Sequence, residues 1–129
     1  MALAIDTLGP RSMDGGCYSG TFMDQAFDAY AALRYLSTLK FVDAERVALF
    51  GQSRGGSATL YAIDRDSAAQ YFGQRFRAAI AYYPRCVVVP APVMTAPVLI
   101  LIGEADQWNA ADACKTLRNL AQPVTRQST

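Results

Sequence analysis

The chain has 129 residues, 52% hydrophobic and 18% charged, with a formal net charge of +1 and no histidine. That length fits one domain around a single core, and the balance of apolar and charged residues excludes a disordered chain. The basic residues are scattered from Arg11 to Arg126 without forming a stripe, so no nucleic-acid partner is expected.

The longest strongly apolar run, Ala96 to Ile102, is too short to span a bilayer and contains Pro97. No positive region precedes an apolar stretch at the amino terminus, so neither a signal peptide nor a membrane partner is expected, and the default location is cytoplasmic. Cys17, Cys86 and Cys114 are odd in number, far apart and in no C-x-x-C pair, which predicts free buried thiols rather than a disulfide framework. Without histidine to complete a mixed site, no metal is expected, and nothing points to a cofactor.

Ala2–Ile5 reads as a strand emptying at Asp6 into a Gly- and Ser-rich loop that runs to Gly20. Thr21 followed by Asp24 is a capping-box-like start. Phe22, Ala26, Phe27, Tyr30, Leu33, Leu36 and Leu39 then recur at helical spacing for roughly five turns. Val47–Phe50 is a continuous apolar tetrad of the kind found in strands covered on both faces, and a helix over Gly55–Ile63 follows it. Two further apolar runs, Ala78–Tyr83 and Val98–Ile102, read as strands; from Ala110 the positions Ala113, Cys114, Leu117 and Leu120 keep helical spacing. This alternation predicts an α/β fold, a mainly parallel sheet of about four strands with helices on its faces. Sites in such sheets sit at the carboxyl ends of the strands.

Gly51-Gln52-Ser53-Arg54-Gly55 joins the second of these strands to its helix, the context in which G-x-S-x-G acquires chemical meaning. So sharp a turn forces the serine into strained backbone angles and pushes its hydroxyl outward. Gly51 and Gly55 are expected to remove Cβ atoms that would collide. The Arg54 N–H, at a helix amino terminus, would be one oxyanion donor. A phosphate-binding turn fits less well: serine replaces the middle glycine of G-x-G-x-x-G, and no Lys-Ser/Thr pair follows. Asp106, in Gly103-Glu104-Ala105-Asp106 after a buried strand, would sit at the same sheet edge as Ser53, in the serine-then-acid order of α/β-hydrolases. Read alone, Asp106 or Asn109 could equally cap the helix at Ala110.

Together with Asp6-Thr7-Leu8-Gly9-Pro10-Arg11, Asp28-Ala29-Tyr30-Ala31-Ala32-Leu33 and Tyr82-Tyr83-Pro84, these motifs resemble the dienelactone hydrolase family of α/β-hydrolases along nearly the whole chain. The resemblance implies hydrolysis of a small-molecule ester or lactone through an acyl-enzyme, with Ser53 as nucleophile, Asp106 as triad acid and the Arg54 N–H as oxyanion donor. Arg11 matches a family arginine. The resemblance also implies strands preceding Ala2–Ile5, one of them lying between that strand and Val47–Phe50, and a triad histidine on a loop after a further strand.

A homo-oligomer of a histidine-free chain contains no histidine, so self-association cannot supply the base. Losing that base costs on the order of 10⁶ in kcat in a well-studied protease. Two readings follow: a serine hydrolase with little activity from these residues alone, or a non-catalytic binding or structural protein on the same fold. In either case Ala2–Ile5 and Val47–Phe50 should pair directly or leave a gap with unpaired peptide groups, which a homodimer or higher oligomer would close.

Overall fold

The structure, a computed structural model, describes residues 1–11, 19–88 and 92–123. Cys17, Pro90 and most of the polar tail lie outside the described residues. In chain order the elements are helix α1 (Phe22–Ser37), strand β1 (Ala48–Gln52), helix α2 (Arg54–Ile63), strands β2 (Ala78–Tyr82), β3 (Val93–Met94) and β4 (Val98–Leu101), helix α3 (Ala111–Leu120) and strand β5 (Gln122–Pro123).

Helix α1 begins where the capping box requires. Thr21 Oγ1 accepts the Asp24 N–H at 3.0 Å, and Asp24 Oδ2 accepts the Thr21 N–H at 2.8 Å. It ends two residues short of the expected Leu39, because the Ser37 and Thr38 hydroxyls donate to the carbonyls of Leu33 and Tyr35 and satisfy the last turn. Ala26, Ala29, Tyr30 and Leu33 form its buried stripe, and the buried Tyr30 hydroxyl donates to the Ala62 carbonyl of α2 at 2.8 Å.

The sheet is parallel, in the order β1-β2-β4, with Gln52, Tyr82 and Leu101 in register at its carboxyl edge. With its flanking helices this is the parallel α/β arrangement that the alternation of strands and helices predicts. Leu49, Ala79, Ala81, Val98 and Ile100 face a core to which all three helices contribute, through Leu33, Leu60 and Leu117 among others. A separate pair, β3 and β5, is held by Asp64, whose buried carboxylate accepts the Val93 N–H at 3.0 Å and the Ser67 hydroxyl at 2.6 Å.

Three expectations need correction. Ala2–Ile5 is not a strand, so the main sheet has three strands rather than about four. Among the described residues it pairs with no strand: a cleft of about 1060 Å³, lined by Leu3, Ile5, Leu33, Leu49 and Phe76, separates it from β1. The gap is thus the outcome, not direct pairing. Ser53 N and Val47 O both bond toward β2, so the two-residue period turns the peptide groups of Ala48, Phe50 and Gln52 to the open edge.

Second, β1 is covered on one face only. Phe50, Leu99 and Leu101 on the other face are 61%, 54% and 44% exposed. An apolar run is compatible with either arrangement; which faces are covered depends on where the helices pack.

Third, Cys86 and Cys114 are joined in a disulfide. Their separation of 28 residues hides the contact, which arises because α3 folds back onto the 3₁₀ turn Cys86–Val88. Among the described residues no helix is long and apolar enough to cross a membrane.

The capping box yields a test. Thr21→Ala should cost about 1 kcal/mol in chemical denaturation. The Thr21 N–H and hydroxyl hold the Asp24 carboxyl below its usual range. That contribution is therefore complete above the ordinary carboxylate pKa and is lost as pH falls through the depressed folded value. The wild-type advantage over Thr21→Ala should shrink on acidification, and an advantage that grew would contradict the assignment.

Candidate active site

The turn from β1 into α2 is built from backbone geometry. Ser53 has φ 52° and ψ −118°, one of two non-glycine residues with positive φ among those described, and it is exposed at the tip. A β-carbon in that conformation costs about 1–3 kcal/mol, so the surroundings must hold it. They do so through the Ser53 N–H, which donates to the Tyr82 carbonyl at 2.9 Å, and the Ser53 carbonyl, which accepts the Ser57 N–H at 3.0 Å. The Ser53 hydroxyl makes no hydrogen bond among the described residues.

Of the two glycines singled out from sequence, Gly51 is sterically required: a Cβ there would overlap the Gly55 carbonyl. Gly55 is not, because a Cβ there meets nothing within 4 Å. The second tight position is Gly56, where a Cβ would lie 2.9 Å from the Tyr82 carbonyl oxygen and 3.3 Å from Pro84 Cβ. The signal for it was the doubled glycine, which leaves open which of the pair faces the sheet. Helix α2 crosses the end of β2 through Gly56, and that approach lets Tyr82 receive the Ser53 N–H.

Arg54 opens α2, and its backbone N–H has no acceptor among the described residues, as expected of a first helical turn. Its side chain points away to the start of α1. The guanidinium donates to the carbonyls of Gly20 and Ser19 and lies 5.1 Å from the Phe22 ring centroid. Arg54 thus locks the first turns of α1 and α2 together and leaves its peptide group for the site. Arg11 has a parallel role, gripping Asp28 on α1 through both guanidinium nitrogens at 2.6 and 2.7 Å.

Asp106 lies in the loop between β4 and α3. Its Oδ1 accepts the N–H groups of Trp108 at 2.8 Å and Asn109 at 2.9 Å, closing its own turn. It does not cap the helix; the N-cap is Ala110, without a side-chain bond. Asn109 donates its side-chain amide to the Tyr83 carbonyl at 3.1 Å. Tyr83 is the other residue with positive φ, at 38°, and its N–H donates to the Leu101 carbonyl at 2.6 Å. Ser53 and Asp106 therefore share the carboxyl edge, one after β1 and one after β4, with Tyr82–Tyr83 between them. No hydrogen bond joins them among the described residues.

Tyr82 lies on the open sheet face and Trp108 is exposed, so neither is core. The cleft beside β1 borders the turn at Gly51, Gln52 and Gly55 but does not lie over Ser53. Among the described residues no three metal-ligating side chains cluster.

The family model described as "Prolyl oligopeptidase family" matches residues 23–91, more than half of the chain, from the first turn of α1 past the Ser53 turn. The match supports an α/β-hydrolase-type family and does not single out dienelactone hydrolase. No curated protein and no solved structure matches the chain.

Two substitutions test the turn. Ser53→Gly should raise stability by about 1 kcal/mol in chemical denaturation, because glycine accepts positive φ without strain. Gly51→Ala should destabilise by about 2–4 kcal/mol or prevent folding, whereas Gly55→Ala should be neutral or stabilising by up to about 1 kcal/mol. Equal costs at the two glycines would contradict the turn geometry.

Proposed function

Because the chain belongs to the prolyl oligopeptidase family, we propose that it carries the nucleophile and the acid of an acyl-transferring serine hydrolase. The observation behind this reading is the positive φ of Ser53 at an exposed strand-to-helix tip, a strain that a purely structural turn would relieve with glycine.

In this reading the Ser53 Oγ attacks a carbonyl carbon. The developing oxyanion takes the Arg54 N–H, favoured by the dipole of α2. The serine proton needs an acceptor. None of the 129 residues is histidine; a histidine supplied to the site is the group that Asp106 would orient and whose charged form it would stabilise.

The substrate is a carboxylic acid derivative. A small ester or lactone follows from the dienelactone hydrolase resemblance, a peptide bond from the family's description. The free edge of β1 and the exposed Phe50 also support self-association of this chain; a monomer at every concentration in light scattering would overturn that part.

A fluorophosphonate probe should label the chain slowly at Ser53, and Ser53→Ala should abolish labelling. Failure of the wild type to label would overturn the reading. p-Nitrophenyl acetate and a proline p-nitroanilide then separate ester from peptide preference. Turnover should stay within about 10³–10⁴ of the uncatalysed rate, the residue left when a triad is broken.

A further inference from the structure

The Tyr83–Val88 segment leaves β2 directly behind the Ser53 turn. The Arg85 N–H donates to Ser57 Oγ at 2.9 Å; Ser57, itself buried, reaches back to the Ser53 carbonyl at 3.4 Å. Cys86 follows Arg85 and is bonded to Cys114, in the first turn of α3 and eight residues beyond Asp106. The loop that carries Asp106, with the helix after it, is thus tied at two points to the Tyr83–Val88 segment that braces the serine turn: the Asn109–Tyr83 hydrogen bond and the disulfide. Helix α3 packs mainly on the Cys86–Val88 turn and is solvent-facing along Asp112, Lys115 and Arg118, so the bond spans its principal contact.

We propose that the Cys86–Cys114 disulfide is a reducible strap that holds the Asp106 loop in working position against the serine turn, making the site sensitive to thiol redox state. The proposal rests on the reading of Ser53 and Asp106 as nucleophile and acid. A dithiol reduces the bond by thiol–disulfide exchange. One of its thiolates attacks a strap sulfur to give a mixed disulfide and one free cysteine. Its second thiol then displaces the other cysteine, so the reductant is oxidised to a disulfide while Cys86 and Cys114 gain two electrons and two protons. Both cysteines are buried, so the segment must open for exchange to begin. With the strap open, the Asn109 bond is the one side-chain hydrogen bond among the described residues that holds the loop to the Tyr83 turn, while the Ser53 turn keeps its own braces at Tyr82, Gly51 and Gly56.

The test compares the oxidised chain, the chain reduced with dithiothreitol and the double variant Cys86→Ser/Cys114→Ser, with peptide mapping to assign the pairing. Imidazole supplied in solution stands in for the absent base in fluorophosphonate labelling. In the oxidised chain it should accelerate labelling at Ser53 by about 10-fold or more with saturation, and Asp106→Asn should remove the acceleration. In the reduced chain and the double variant the acceleration should fall below about 2-fold with the unassisted rate unchanged, a split that general loss of structure would not produce. Hydrogen exchange should quicken over residues 103–120 and stay unchanged over 47–63.

Equal imidazole acceleration in both redox states would overturn the proposal, as would reduction that unfolds the whole chain, since the bond would then be a general staple. If Ser53 labels in neither state, the functional reading fails, and exchange alone judges the strap: unchanged protection over 103–120 would overturn it too.

Discussion

The hydrogen bond from the Ser53 N–H to the Tyr82 carbonyl, across the ends of β1 and β2, is the constraint from which the rest of the site follows. It exists only if α2 lies close enough to β2 for the turn to close, and that approach exists only because Gly51 and Gly56 carry no side chain. Once those contacts are made, Ser53 has nowhere to go but positive φ, and its hydroxyl and the Arg54 N–H are delivered together at the tip. The strain is local, and the support comes from three elements.

Support of this kind explains why polar side chains near the site serve the scaffold. Arg54 is committed to the start of α1, Arg11 to Asp28, Ser57 to Arg85, and Asp106 in part to its own loop. What remains free at the edge is backbone: the first N–H groups of α2 and the strained Ser53. A site arranged in this way binds charge through fixed dipoles and needs little reorganisation when an oxyanion forms. It still needs a proton acceptor. In the proposed reading that acceptor is a histidine, and the sequence holds none.

The open side of the sheet belongs to the same picture. A parallel sheet is ordinarily covered on both faces, yet Phe50, Leu99 and Leu101 face outward here and the outer edge of β1 pairs with no strand among the described residues. The helices gather on one face, and α3 reaches its place mainly through the Cys86–Val88 turn and the disulfide. The Asp106 side of the sheet edge is accordingly fastened less by packing than the Ser53 side.

Much of the local chemistry was legible from sequence, though the early end of α1 and the closed turn at Asp106 were not. The capping box at Thr21 and Asp24, the buried stripe of α1, the three strand positions and the strand–turn–helix context of Ser53 all follow from spacing and residue type, because hydrogen bonds within a turn and the 3.6- and two-residue periods are local properties. Residues 2–5 show the limit: an apolar run has strand character, but a strand needs a neighbour, and whether one lies within about 5 Å is not written in the run itself. The tertiary structure alone decided which glycine of the Gly55–Gly56 pair meets the sheet, which face of β1 is covered, that Arg54 turns away from the site, and that Cys86 and Cys114 meet. Each depends on segments distant in the chain being packed together, and chain spacing carries no record of that.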